Sequence, residues 1–303
     1  MPARPLVRMG TVRLGMALAQ VLPHNAAYGL AAWLARLMRA RRWGMFAVLR
    51  ANLAHLPLGR PDDELDAMAE RAVALALRTY YETLRAVSRG EAPQSVSLQR
   101  GELPAQGLPG WQGRGPGLVV GALHMSNFDL AGAWLASQGL DFQALSLAGP
   151  DLGTLMVNRL RRKQGLTLTP IEPASLRDAI RRLKAGGLVL TGIDRPVDEG
   201  RMPLPFFGQL THMPVGHVRL ALQTGARFMM AVCLEQAEGR YVITFSEPME
   251  LTRTGDREAD IRTNALAILH LAEEIIASAP EQWLVFRPVW PGAPQPETGR
   301  SVS

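Results

Sequence analysis

From residue 117 onward, short apolar runs bounded by Gly and Pro alternate with segments whose apolar residues recur at helical spacing. No other feature limits the possible folds as much. "GLVVGAL", residues 117–123, is apolar at both parities, as a strand covered on both faces must be. "FDLAGAWLASQG" then reads as a helix, "FQALSLAG" as a strand, "LGTLMVNRLRRKQG" as a helix and "LTLTPI" as a strand. In "SLRDAIRRLKAGG" Ser175 reads as the N-cap, Asp178 takes the capping-box position and Gly186 marks the stop. "LVLTGID", "ARFMMAVCLE" and "RYVITFSEPMEL" add three strands, and "ADIRTNALAILHLAEEIIASAP" is a helix before the closing "EQWLVFRPVWP". Strands alternating with helices predict an α/β fold over 117–290, with a mainly parallel central sheet flanked by helices.

The first 90 residues read differently. "GRPDDELDAMAERAVALALRTYYETLRAVSRG" opens on acidic Asp62–Glu64, keeps helical spacing and stops at Gly90. Residues 9–43 form two short apolar helices interrupted by Arg13 and by "PHN", too broken to span a bilayer or to serve as a secretory signal. They end in Arg36, Arg39, Arg41 and Arg42 beside Trp33 and Trp43, the composition of a segment lying in a membrane interface. A buried helix pair with cations at its last turn has the same composition. The N-terminal helical region, 1–90, is therefore expected to contact the membrane. The Pro/Gly-rich stretch 91–116 reads as a linker and 291–303 as a disordered tail. The 33 Lys and Arg exceed the 27 Asp and Glu, giving +6, a balance suited to an anionic partner. The single cysteine, Cys233, excludes an internal disulfide and fits a reducing compartment.

Chemistry concentrates at "HMSNFD". His124 falls at the carboxyl end of the first predicted α/β strand, where open sheets of this class place ligand sites, and Asp129 follows five residues later. On one continuous helix these side chains would point about 140° apart, so the strand-to-helix break is what would let them meet. If they do, Asp129 accepts the imidazole Nδ1–H, fixes the tautomer and leaves Nε2 as a base. No GxSxG elbow supplies a nucleophile, so the base would act on a hydroxyl brought by the substrate. Taken alone, the pair equally fits a His and an Asp that cap a helix. His212 and His217, five apart without Cys or acidic partners at ligand spacing, make no metal site and read as packing or surface residues.

"HMSNFD" resembles the His-x4-Asp/Glu motif of the lysophospholipid acyltransferase superfamily, in the branch of the lipid A late acyltransferases and the phosphatidylinositol mannoside acyltransferases. "LMVNRLRRKQG", "GLVLTGID" with "PLPFFGQLTHMPVGHVRLALQTGA", "APEQWLVFRPVW" and "RANLAHLP" resemble further blocks of that branch, over roughly residues 45–290. The resemblance implies His124 as general base and Asp129 as its orienting partner. It implies Arg159 and Arg162, on one helix face, as holders of anionic substrate groups, with Asp194 and Arg195 beside the same sheet edge. Phe206 and Phe207 of "PFFG" would shape the acyl tunnel or the floor of the site. Asp129 and "NFD" in place of the lipid A enzymes' glutamate and "NWE" lean toward the mannoside side, whereas Gln209 departs from it.

The expected activity is O-acyl transfer from acyl-CoA or acyl carrier protein to a hydroxyl of a membrane lipid or glycolipid. It would need no covalent acyl-enzyme, no metal and no other cofactor, and would act at the cytoplasmic face of the inner (cell) membrane. The alternative is a lipid or thioester hydrolase that turns the same His–Asp pair on water. A nucleic-acid partner is not expected, because the N-terminal arginines sit among Trp, Leu and Ala and no recognition motif appears.

Overall fold

The computed structural model describes residues 17, 19–89, 95–98, 115–146, 162, 167–197 and 200–292. Three helices come first: α1 (His24–Arg41), α2 (Gly44–Ala54) and α3 (Asp62–Arg89). The strands of the main sheet are β1 (Val96–Leu98), β2 (Leu118–Ala122), β3 (Phe142–Ser146), β4 (Thr167–Pro170), β5 (Leu188–Gly192), β8 (Arg227–Ala237) and β9 (Arg240–Phe245). They lie in the order β1-β9-β8-β2-β5-β3-β4. Strands β4, β3, β5, β2 and β8 are mutually parallel, whereas β9 runs antiparallel to β8 and carries β1 parallel to itself. The expected mainly parallel sheet with flanking helices is thus present.

Side-chain alternation along β2 explains why the sheet is covered twice. Val119 faces a core built with α3, α5 (Pro173–Lys184), α6 (Gly216–Thr224) and α7 (Arg257–Ser278), while Leu118 and Val120 face a second core built with α4 (Phe128–Ser137). Strand β1 lies inside the stretch read as a linker. Its three residues pair with Tyr241–Ile243 and close one edge of the sheet, so backbone pairing outweighed a composition rich in turn formers.

Two local features depart from the sequence reading. Helix α5 begins at Pro173, not at Ser175; Glu172 is its N-cap and Ser175 is buried in the first turn. Proline suits that position because its missing N–H is one the first turn leaves unpaired. The "PLPFFGQLTHMP" segment forms a separate antiparallel hairpin, β6 (Arg201–Phe206) and β7 (Gln209–Pro214). Its two turn residues, Phe207 and Gly208, have φ of 49° and 72°, the positive pair that a tight type I′ hairpin needs.

Helix α1 packs its Ala27, Ala31 and Ala35 inward, and on the other side it exposes Leu30 (47%) and Trp33 (56%), with Trp43 (51%) just beyond its end. Its arginines are largely engaged with α3. Arg39 lies 2.9 Å and Arg36 3.8 Å from Glu70, and Arg42 makes two bonds of 2.7 and 2.6 Å to Asp66. The Arg41 guanidinium sits 5.2 Å from the centre of the Trp43 ring. Arginines expected to face lipid thus also hold the helix pair together. Among the described residues, no helix is long and apolar enough to cross a membrane.

The N-terminal helices are joined to the segment 285–289 by Asn52 of α2, buried at 1% exposure. Its amide donates to the carbonyls of Val285 and Arg287 at 2.9 and 3.0 Å, and its oxygen accepts the Val289 N–H at 3.1 Å. One side chain thereby satisfies backbone groups of a segment that has no sheet or helix of its own.

His212 is exposed, but His217 in α6 is buried against Phe228, and its Nε2 has no hydrogen-bond partner. Burial pushes its imidazole down to about 3. The unfolded chain takes up a proton near the ordinary value of 6.5, which the folded chain refuses. Stability is therefore complete above that value and falls as pH drops from it toward 3, by up to about 1.4 kcal/mol per pH unit. Thermal melts between pH 7 and 4 should show a smaller loss in His217→Leu than in the wild type; parallel losses would rule out His217 as the cause.

Candidate functional site

The site is built where two neighbouring parallel strands end together. In the register of β2 and β5, Ala122 stands opposite Gly192, and Ile193 N–H still reaches the Ala122 carbonyl at 3.3 Å. His124 and Asp194 each come two residues after that last pair. In-register parallel strands about 4.8 Å apart place such equivalent positions side by side. His124 Nδ1 lies 2.5 Å from Asp194 Oδ1, and the backbone N–H of His124 donates to Oδ2 at 2.8 Å. The Trp283 indole N–H donates to the same Oδ2 at 2.9 Å.

Asp194 is fully buried. Burial alone would raise its carboxyl. The attraction of His124, the two His124 N–H groups and the Trp283 indole outweigh that and hold it below the usual carboxylate range. An ionised carboxylate only accepts, so Nδ1 carries the proton, and Nε2 is the ring's basic nitrogen. The imidazole is 13% exposed, and the Phe128 ring packs against it in a T-shaped arrangement at 5.0 Å between centroids.

The partner expected for Nδ1 was Asp129, and the structure gives that bond to Asp194. Asp129 stands in the first turn of α4, partly buried. The reason is topological: a neighbouring strand brings a carboxylate to the imidazole from 70 residues away, which no spacing along one segment reveals. Gly192 makes the approach possible, because a Cβ there would lie 2.6 Å from His124 Cε1.

The loop carrying His124 is clamped by the C-terminal segment. Leu284 N–H donates to the His124 carbonyl at 2.8 Å, Met125 and Trp283 form an antiparallel bridge, and Ser126 N–H donates to the Gln282 carbonyl at 2.7 Å. The Gln282 side chain is in turn fixed to the backbone of Glu235, accepting from its N–H and donating to its carbonyl. Gln282 and Trp283 lie within "APEQWLVFRPVW", where the sequence alone points to no role for either. A buried indole N–H requires an acceptor, and that requirement is the available sequence clue.

The other expected site residues are distributed more widely. Phe206 is buried between two tryptophans, 5.7 Å from Trp290 and 6.1 Å from Trp283, so it braces the indole that holds Asp194. Phe207 is in the hairpin turn, and its N–H donates to Glu273 at 2.5 Å. Arg195 follows Asp194 directly and is partly buried. Arg162 is exposed, with its Nε 3.5 Å from the Leu168 carbonyl, and Arg159 lies outside the described residues. Among the described residues, no three His, Cys, Asp or Glu side chains gather as a metal ion would need.

The family model described as bacterial lipid A biosynthesis acyltransferase matches residues 8–291. A phosphatidylinositol mannoside acyltransferase of Mycolicibacterium smegmatis is 27% identical over 283 residues, covering 91% of this chain and 89% of that protein. One from Mycobacterium tuberculosis is 25% identical over 181 residues, 58% of this chain and 55% of that protein. Among solved structures, the 1-acyl-sn-glycerophosphate acyltransferase of Thermotoga maritima aligns with a TM-score of 0.36 and 16% identity, over 84% of this chain and 98% of that one. The chain is an acyltransferase acting on lipid, and it belongs to the bacterial lipid A biosynthesis acyltransferase family.

Proposed function

We propose that the chain moves a fatty acyl group from acyl-CoA or acyl carrier protein to a hydroxyl of a membrane lipid or glycolipid, with no acyl-enzyme. The observation that carries this is the His124 imidazole, whose Nδ1–H is committed to a fully buried carboxylate while Nε2 remains the base. Nε2 takes the proton of the acceptor hydroxyl as its oxygen attacks the thioester carbonyl. Asp194 stabilises the imidazolium, which returns the proton to the departing thiolate. Asp129 is a second carboxylate of the site, and Arg159, Arg162 and Arg195 meet the anionic groups of donor or acceptor. The mannoside relatives favour a glycolipid acceptor.

His124→Ala should still fold, with a lowered melting temperature because Asp194 loses its Nδ1–H donor, and should lose about 10²–10⁴-fold in turnover. Asp194→Asn should cost more than Asp129→Asn, because it removes the charge that stabilises the imidazolium and, with the amide oxygen drawn to the two N–H donors at the Oδ2 position, turns an N–H₂ toward Nδ1. Label from a radioactive acyl donor should appear in ester. Unimpaired turnover in Asp194→Asn, or a loss smaller than that of Asp129→Asn, would remove Asp194 from the mechanism, and label in free acid alone would make the protein a hydrolase.

We further infer docking on the cytoplasmic leaflet through α1, to which the lipid acceptor is confined. Leu30, Trp33 and Trp43 carry most of the interaction, since the nearby arginines are engaged with Glu70, Asp66 and the Trp43 ring. Leu30→Ser with Trp33→Ser should release the protein from floating anionic vesicles at high salt as well as low. Retention of that double variant, with release by salt alone, would assign docking to the arginines instead.

A further inference from the structure

The turn that follows His124 is held on its other side by a group that the chemistry above leaves unused. Asn127 is buried at 1% exposure and begins α4. Its Oδ1 accepts the Leu130 N–H at 3.3 Å, capping the helix, and the Thr83 hydroxyl at 3.1 Å. Those two donors fix the amide's orientation, so its Nδ2–H₂ must find acceptors, and it donates to Glu82 Oε2 at 3.0 Å and, at the longer distance of 3.5 Å, to the Thr79 carbonyl.

Glu82 is itself buried on α3, and its carboxylate accepts from three other elements of the fold. Tyr28 of α1 donates to Oε1, while Tyr241 of β9 at 2.5 Å and Asn127 of α4 donate to Oε2. Burial first, and then the carboxylate itself, raise both tyrosine hydroxyls well above their ordinary range, so both stay donors. Arg78 lies over the Tyr28 ring and spends its guanidinium on Glu235 and Glu238 at 2.7 and 3.0 Å. Between Asn127 and His124, Ser126 is held at a left-handed φ of 47°, which persists only where the surroundings determine it.

Resting on the acyl-transfer reading above, we propose that Glu82 is a positioning residue for His124. Its acceptor-only carboxylate sets the polarity of the Asn127 amide, which caps α4 and holds the turn carrying the imidazole. Glutamine at position 82 has nearly the same shape but would present an N–H₂ to the Asn127 N–H₂. The Asn127 amide would then turn over and lose its cap on Leu130 N–H. Aspartate at 127 alone would face the Glu82 carboxylate. The two changes together restore complementarity at the contact between positions 82 and 127, with donor and acceptor exchanged and the net charge kept, leaving only the longer bond to the Thr79 carbonyl unreplaced.

The test is a double-mutant cycle of Glu82→Gln and Asn127→Asp, read by kcat on a soluble short-chain alcohol acceptor. It is also read by the downfield ¹H NMR signal of the His124 Nδ1 proton, assigned by its loss in His124→Ala. Each single variant should lose about tenfold in kcat with KM within about twofold, and should move the Nδ1 proton signal; the double variant should return to within about threefold. Singles at wild-type kcat, or losses that simply multiply in the double variant, would overturn the proposal. If a single variant fails to fold, the double variant still decides by regaining or not regaining the signal. A wild-type protein that transfers no acyl group would refute the acyl-transfer reading, and the proton signal would still decide the positioning role.

Discussion

The carboxylate of Asp194 is the contact on which the rest of the site depends. A buried charge is tolerated only when its oxygens are satisfied, and here three N–H groups from two distant parts of the chain do so. Two of the donors belong to His124, so the same bonds that neutralise the cost of burial also fix the ring's tautomer and angle. The third comes from Trp283, whose segment is pinned to α2 through Asn52 and to β8 through Gln282. Removing one member of such a buried set leaves an uncompensated group and costs about 3–5 kcal/mol, so stability and chemistry share the same atoms.

The helices before the sheet are part of the same construction. Helix α3 reaches across the molecule to put Glu82 under the first turn of α4, and α1 joins it through Tyr28. The face of α1 turned toward α3 is alanine, which allows close approach, while the opposite face carries Leu30 and Trp33. The exposed apolar face of α1 and the loop carrying His124 are thus two sides of one packed unit.

Much of the site could be read before the fold was known. The doubly apolar "GLVVGAL" placed β2 in the middle of the sheet and His124 at its carboxyl end, because only a strand covered on both sides carries that pattern. The end of "LVLTGID" was likewise read as lying at the same edge. The hairpin at "PFFG" was missed because its proline-rich strands carry little strand propensity, and the positive φ of Phe207 is imposed by packing. Ser175 matches a capping pattern, yet it stands within the first turn of a helix that Pro173 has already begun.

The linear chain by itself determined the fold class, the strand that presents His124 and the absence of a catalytic serine elbow, since these follow from hydrophobic period and local motif. Which carboxylate meets the imidazole was decided only by tertiary structure. Asp129 was the near candidate in sequence, yet the register of β2 on β5 brings Asp194 to Nδ1, and Gly192 leaves the room for it. Strand order and register join residues whose separation along the chain carries no trace of their contact. The roles of Trp283 and Glu82 depend in the same way on partners that only packing supplies.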